Sequence, residues 1–586
     1  MSHTWLPESP ASFLPDTTAI LAVALLAVLI CFISYLLPRK TGAIFEAAAV
    51  IAVTASLFVL YPFGQAMLLF AFGANAYASF GLLMDRSKRE KKLELKLKLQ
   101  EAGQNEIELA KDARRLWADI ALTLLVSSGA VLFYVFAPVN YAPLKTVIVF
   151  MLISVTAEMI ERAGNFLSSR FFWLPDGERL IILSPFQPRD YPLRDLKEVG
   201  IESSPDLLKL HPLFTFLSSN QDYTGSFQTV VRLTFPGEQI YFTPADAHRW
   251  KACFETYVKE EKRESVKNVL PLWHPAVLKR LFWKAYFAAS VKGISAYTGL
   301  LLILIVLDAP AWAATLFILL WWLFNLWISD RVLLAAADAV PLEQNGLAER
   351  AQTVLNRAGI PRARLYVTDS PQYNGLAIGM NIGRAVIMLT TATLRLAPES
   401  VEAVLAHEAV HVKKRDVLAN QLARMGIMGL ALAPAAWFFE ELRQLAQDHP
   451  VVLFIAVYVL IWLYPVCLSF ISQWMEVRAD HLGAALLPGG RKQMADGLQD
   501  LAASQERDLD QSFEYQLPSD RAPSRRVSDT KRASWFWRFL EFQFLQHPPM
   551  YWRIMSLQSC SSWAEARRHW LRDRFRESLP DFLLKK

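Results

Sequence analysis

Three side chains in the stretch HEAVHVKKRD, His407 to Asp416, have the types and spacing that a hydrolytic metal site requires. His407 and His411 are four residues apart, so on a helix their imidazoles leave one face a turn apart and can hold a single cation. Glu408 lies one step round, where it can take a proton from a metal-activated water without being a ligand. The chemistry implied is peptide hydrolysis. Pro398 and Glu399 suit the first turn of the helix this needs, and Val401, Val404, Leu405 and Ala406 give it an apolar side.

Two histidines and a water leave tetrahedral zinc one protein ligand short. Glu476, in QWMEVRADH, is the candidate. Asp480 follows it by four, so one carboxylate can bind metal while the other orients a ligand histidine. An ordinary acidic helix face has the same spacing, and spacing alone does not choose between them.

HEAVHVKKRD followed by an E-x-x-x-D helix resembles the HtpX-like and CAAX-prenyl-protease superfamily of integral-membrane zinc proteases. The likeness continues in LAERAQTVLNRAGIPRARLYVTDSPQYNGLAIG (347–379), LPGGRKQMADGLQDLA and HPPMYWRI (547–554). It covers roughly residues 332–556. It implies one zinc held by His407, His411 and Glu476, with Glu408 as the base and Asp480 behind the ligands. It further implies that His547, with Arg553 in the same block, and Asn374 stand near the reacting carbonyl. Gly375 replaces the more usual Ala after that Asn, and Gln473 the more usual basic residue before the third-ligand glutamate. Arg384–Leu389 (RAVIML) reads as a strand which, as an exposed edge, would hold an extended substrate by backbone pairing.

At 53% hydrophobic, with 36 Phe and 18 Trp, the chain is too apolar for an ordinary soluble protein of 586 residues. Apolar runs at 17–37, 43–61, 65–84, 116–137, 143–160, 293–308, 311–328, 425–439 and 450–471 are candidates to span a membrane. The run at 425–439, which contains Pro434, also reads as re-entrant. Residues 1–16 contain no Lys or Arg, which favours a retained first span over a cleaved signal. Asp85–Arg115 carries ten Lys and Arg and reads as a cytoplasmic connector. Counting spans from there brings 162–290, 330–424 and, after the 425–471 hairpin, Glu476 to the cytoplasmic side.

The expected fold is a multi-pass α-helical membrane protein with a mainly α zincin-type metalloprotease domain and a small β-rich soluble insert. Its parts are a membrane domain (1–161, about five spans), a β-rich module (162–275), a two-span hairpin (276–331), the protease domain (332–556) with its membrane hairpin 425–471, and a basic tail (557–586). Strand-like runs at 179–184, 229–235 and 239–243, the last two joined at Pro236-Gly237-Glu238, suit a pleckstrin-homology-like barrel. A helix over 244–262, with Thr243 as cap and Pro244 in the first turn, would close it. KREKKLELKLKL (88–99) and RRHWLRDRFR (567–576) read as solvated basic segments or as leaflet-facing ones. Residues 518–534 read as a polar loop, a plain linker in the first place and alternatively one able to gate the site.

The function these readings predict is that of a zinc endopeptidase of the bacterial inner membrane, cutting membrane or misfolded polypeptides at the cytoplasmic face. A specific processing protease is the narrower alternative, and no residue selects it. A signal-transducing receptor that uses the metal domain as a scaffold has no need of Glu408. Four scattered cysteines suggest neither disulfides nor a thiolate metal site, and a net charge of +6 argues against nucleic acid as a partner.

Overall fold

The computed structural model describes residues 15–583 apart from 102–104, 137–141, 203–205, 211–213, 217–219, 259–272, 289, 291–309, 344–345, 381–383 and 520–527. The run expected to span at 293–308 and the centre of the 518–534 loop lie outside the described residues.

The chain opens with α1 (Thr17–Leu36), α2 (Arg39–Leu60) and α3 (Phe63–Leu83). Pro38 and Pro62 stand at the N-caps of α2 and α3, where a missing N–H costs nothing and the fixed φ turns the chain. Ile20, Val23, Leu57, Ala66, Leu69 and Phe72 form the buried seam between these helices. Beyond them lie α4 (Arg86–Glu101), β1 (Asn105–Ile107), α5 (Ala113–Phe136) and α6 (Ala142–Ser168). Among the described residues, five helical stretches are long and apolar enough to cross a bilayer: 17–36, 39–60, 63–101, 316–336 and 451–484. The chain is an integral membrane protein.

The β-rich module comprises β2 (Arg170–Leu174), β3 (Arg179–Leu183), β4 (Arg189–Pro192), β5 (Glu198–Glu202), α7 (Leu207–Leu210), β6 (Asn220–Tyr223), β7 (Val230–Phe235), β8 (Glu238–Phe242) and α8 (Ala247–Glu255). Two four-stranded sheets, ordered β1-β2-β3-β4 and β5-β7-β8-β6, enclose one apolar core. Phe235 pairs with Glu238 across a turn that Gly237 makes at φ 76°, a conformation open to glycine.

Three expectations for the parts around this module are corrected. The closing helix starts at Ala247, later than expected, because Asp246 accepts from the Arg249 N–H and caps it; the Thr243 hydroxyl is instead committed to the Ala110 carbonyl. Residues 88–99 are no solvated connector: they lie in α4, which packs Leu95 and Leu99 on Phe172, Leu174, Ile181 and Leu183 and buries Lys91. The module also extends beyond the expected bounds 162–275: β1, ahead of α5 and α6 in sequence, adds a strand to it by pairing with β2.

The third part contains α9 (Pro275–Phe287), α10 (Ala311–Ala336), β9 (Val340–Pro341), α11 (Gly346–Ala358), β10 (Arg364–Thr368), β11 (Gly375–Ile378) and β12 (Val386–Thr390). Helices α12 (Pro398–Lys414), α13 (Asp416–Trp437), α14 (Phe439–Asp448), α15 (Pro450–Ala484) and α16 (Gly490–Gln516) follow, then α17 (Trp535–Phe544), α18 (Met550–Ser559) and α19 (Trp563–Arg576). Residues 425–437 continue α13 through Pro434 as one helix. The expected edge strand is also corrected. β12 is internal in the order β11-β12-β10-β9, and β11 holds the edge.

Every residue of α12 from Ser400 to Val412 is buried, so it is a core helix and not a one-sided amphipathic one. Its neighbours come close because they carry glycine. A Cβ on Gly497 of α16 would lie 2.5 Å from the Ala403 Cβ.

The module and this part share a core. Tyr515, near the end of α16, packs its ring tilted against Tyr191 at 4.9 Å and edge-on to Phe235 at 6.1 Å, and its hydroxyl donates to Asp195 at 3.1 Å. Around it, Lys197 pairs with Asp508, while Arg232, Lys209 and Gln239 all reach Asp369. Asp369 opens the loop that leads into β11, so the module abuts the approach to the edge strand.

Candidate metal centre

α12 carries His407, Glu408 and His411; α15 brings Glu476 and Asp480 from 70 residues further along the chain. The two Nε2 atoms face each other at 3.0 Å, and each lies 3.3 Å from a Glu476 oxygen: Oε2 for His407 and Oε1 for His411. These ligand atoms lie within 4.8 Å of one another.

The outer ring nitrogens are fixed by carboxylates. His407 Nδ1 bonds Asp480 Oδ1 at 2.9 Å, and Asp480 in turn accepts two bonds from the Arg553 guanidinium, at 2.7 and 2.8 Å. His411 Nδ1 bonds Asp416 Oδ2 at 2.8 Å, and Arg478 holds the other oxygen of Asp416. Each imidazole therefore turns Nε2 inward as the atom free to bind a cation. Burial alone would favour neutral rings. For His407 the Glu476 carboxylate, and for His411 the bond to Asp416, outweigh it and raise both pKa values above the usual range.

Asp416 was the unread member of this set, although it closes the motif. α12 ends with Arg415 in the left-handed region at φ 55°, and this reversal aims Asp416 back at His411. Neither Gly nor Pro marks the break, so no local signal announces it.

The donor set fits a divalent metal. Glu476 Oε2 is buried and accepts no hydrogen bond; the His547 Nδ1, 2.8 Å away, lies off bonding geometry. This buried carboxylate meets His407, His411, His547 and Arg553 only at ion-pair distances, 2.8–3.6 Å, so the lone pairs of Oε2 are left for a cation to satisfy. Two nitrogens and a carboxylate are the donors zinc favours.

Glu408 stands apart from the ligands, its Oε2 accepting the Ala377 N–H at 2.8 Å. Ala377 is in β11, and that N–H is turned away from β12, so Glu408 lies beside the open edge of the sheet. Gly375 allows this close approach: a Cβ there would lie 2.7 Å from Val404 Cγ1 and 3.2 Å from Glu408 Cγ, so those side chains would have to shift. Asn374 is placed by its backbone, its N–H donating to the Thr390 and Thr393 hydroxyls. His547 is exposed at the rim, above Glu476. Gln473, where a basic residue was expected, is fully buried: its amide donates to the Glu541, Phe542 and Leu545 carbonyls, and its oxygen accepts from Arg574. The positive charge at that place comes from α19.

A second grouping, Cys560, Glu565 and His569, also brings ligand atoms together. Glu565 there already accepts the Ser561 N–H and hydroxyl at the start of α19.

Residues 341–561 match the model of peptidase family M48. This part of the chain is an M48 domain. M48 is a family of metallopeptidases, which accords with the three converging ligand atoms. Proteins named "Protease HtpX homolog" are similar to it. The one from Campylobacter concisus is 30% identical over 187 residues, and that from Ralstonia nicotianae 32% over 181, each covering 30% of this chain. One from Pelotomaculum thermopropionicum is 39% identical over 105 residues, or 17% of this chain. The matches span 64%, 63% and 37% of those relatives' own lengths. Ahead of the M48 domain, residues 170–258 match a model described as a bacterial PH domain.

Proposed function

We propose that this chain is a membrane-embedded, zinc-dependent endopeptidase whose site faces the cytoplasm. The observation that carries the reading is the pairing of a ligand set with a carboxylate that is not a ligand. His407, His411 and Glu476 converge, while Glu408 stands beside the free edge of β11.

When bound, zinc would polarise the scissile carbonyl and acidify a water at the site. The chain's own groups do the rest. An extended polypeptide adds to the edge of β11 by main-chain bonds, which read no side chains and so favour broad specificity over unfolded or membrane substrates. Glu408 takes the proton of the attacking water and returns it to the leaving nitrogen. His547, exposed at the rim, meets the negative charge that develops on the carbonyl oxygen, and Asn374 holds the substrate from the β11 side. Asp480 and Asp416 keep both histidines in the ligating tautomer. The ten Lys and Arg of residues 85–115 support the cytoplasmic side for the whole site.

The test is made on the detergent-purified chain. It should hold about one zinc and cleave an unfolded protein in a chelator-sensitive manner. Cleavage by the metal-free chain would sink the proposal. Asp480→Asn should weaken zinc binding ~10–100-fold, measured by competition with a chromophoric chelator, because its bond to His407 Nδ1 sets the ligand's basicity. Unchanged affinity would mean that Arg553 and not His407 is the chief partner of Asp480.

A further inference from the structure

The C-terminal helices carry an unassigned surface. The tail, for which the sequence left a solvated and a leaflet-facing reading open, is a packed helix, α19, fastened to α15. Arg574 donates to Ser469 Oγ at 2.8 Å and to the Val466 carbonyl at 3.3 Å, and the Trp570 ring packs tilted against Phe470 at 5.0 Å. α17 is fastened to the same helix, through the Gln473 amide and by a Phe544–Trp462 ring contact at 5.3 Å. α17 and the end of α19 are joined to each other by the fully buried Arg538, which bonds the Glu577 carbonyl and Asp581.

These attachments fix a depth. Val466, Ser469 and Phe470 belong to the last turns of the apolar stretch 450–471, and Trp462 lies eleven residues before Gln473, or ~16 Å deeper along the helix. α17 and α19 therefore grip the span where it leaves the hydrocarbon. At that level they present apolar side chains outward. Trp535, Phe536 and Trp537 are exposed on α17. On α19 the outward face reads Arg567, Arg568, Leu571, Arg572, Phe575, Arg576, with Phe575 62% exposed. Arg567, Arg568 and Arg576 make no ion pair among the described residues.

Arg572 is paired with Asp573, but aromatic and leucine side chains interleaved with Arg567, Arg568 and Arg576, held at a bilayer boundary, match one surface chemistry: acyl chains below and anionic headgroups above. We infer that α17 and α19 form an in-plane anchor that sits on an anionic lipid leaflet, with Trp537 and Phe575 inserted and the arginines of α19 on lipid phosphates. A water-exposed tail would leave these rings solvated. A second copy of the chain would have to cover Arg567, Arg568 and Arg576 with acids, whereas Glu577 and Asp581 on this surface are already committed to Arg532 and Arg538.

The experiment uses the full chain, with Cys253 and Cys467 replaced by Ser, in vesicles of phosphatidylcholine alone or with phosphatidylglycerol. A spin label is placed at Phe575→Cys or Trp537→Cys, with Arg362→Cys, on the exposed surface of the M48 domain, as the aqueous reference. Collision with oxygen, which concentrates in lipid, is compared with collision with a water-soluble nickel chelate. The expected oxygen-to-nickel ratio at both anchor sites is several-fold above the reference, larger in the anionic vesicles, and lowered there by R567Q/R568Q/R572Q/R576Q. Ratios equal to the reference would overturn the anchor in favour of a solvated surface. Rare collision with both reagents would overturn it in favour of a protein cover. Equal ratios in neutral and anionic vesicles would remove the headgroup from the recognition.

Discussion

Glu408→Gln is expected to lower peptide cleavage by ~10²–10⁴-fold while zinc content stays at the wild-type level. The separation of the two readouts follows from the geometry. Glu408 is buried beside the ligands, but its bonded partner is the Ala377 N–H, and an amide oxygen in the same place still accepts that bond. The substitution keeps volume and backbone contact and removes only the basic oxygen. Glu476→Gln is the informative contrast: it alters the ligand that faces both imidazoles and should lose metal and activity together. If Glu408→Gln also loses the metal, Glu408 is part of the ligand set and the proton-transfer role fails. If it keeps both metal and activity, the base is another group.

The second large effect lies far from the metal. Tyr515→Ala should destabilise the β-rich module by about 3–5 kcal/mol, the usual cost of removing a buried aromatic ring. The ring belongs to α16, yet its neighbours Tyr191 and Phe235 belong to β4 and β7. Hydrogen exchange should therefore quicken in β3, β4, β7 and β8, although no residue of the module has been changed. Tyr515→Phe keeps the ring and loses the bond to Asp195, and should cost only about 1 kcal/mol. Unaltered exchange in those strands after Tyr515→Ala would mean that the module closes its core without α16. Because α16 also packs on α12 through Gly497, zinc-loaded Tyr515→Ala protein is expected to cleave more slowly as well.

What the sequence disclosed and what it withheld divide along physical lines. The four-residue spacing of His407 and His411 is a local property of a helix, and so is that of Glu476 and Asp480. Their types and periods could be read directly, and the structure brings the four side chains into one cluster. The strands at 179–183, 230–235 and 238–242 were legible for the same reason, from short apolar runs and a Pro-Gly turn. Sheet order was not. Nothing in Arg384–Leu389 says that β10 pairs on its far side, since partners distant in sequence leave no periodic mark. β1, Tyr515 and Arg574 were missed likewise: each completes a part of the fold whose remaining residues lie tens to hundreds of positions away. Asp416 was missed for the opposite reason. Its neighbours are adjacent, but the reversal at Arg415 is made by a residue type that seldom adopts it.

One unbroken helix, α15, runs from lipid-facing residues at Val451–Leu463 to Glu476 and Asp480, with Pro465 between. Proline removes a backbone bond there and leaves the helix easiest to bend at that point. Glu476 is eleven residues beyond, ~16 Å along the axis, so a 5° change in tilt about Pro465 would move it ~1.4 Å. Displacements of that size are enough to spoil a catalytic alignment. A bilayer thinner or thicker than the span prefers imposes such a tilt. Glu476, the proposed third ligand, is thus mounted on a lever whose other arm is in the apolar span, and membrane thickness would act on the proposed chemistry through it.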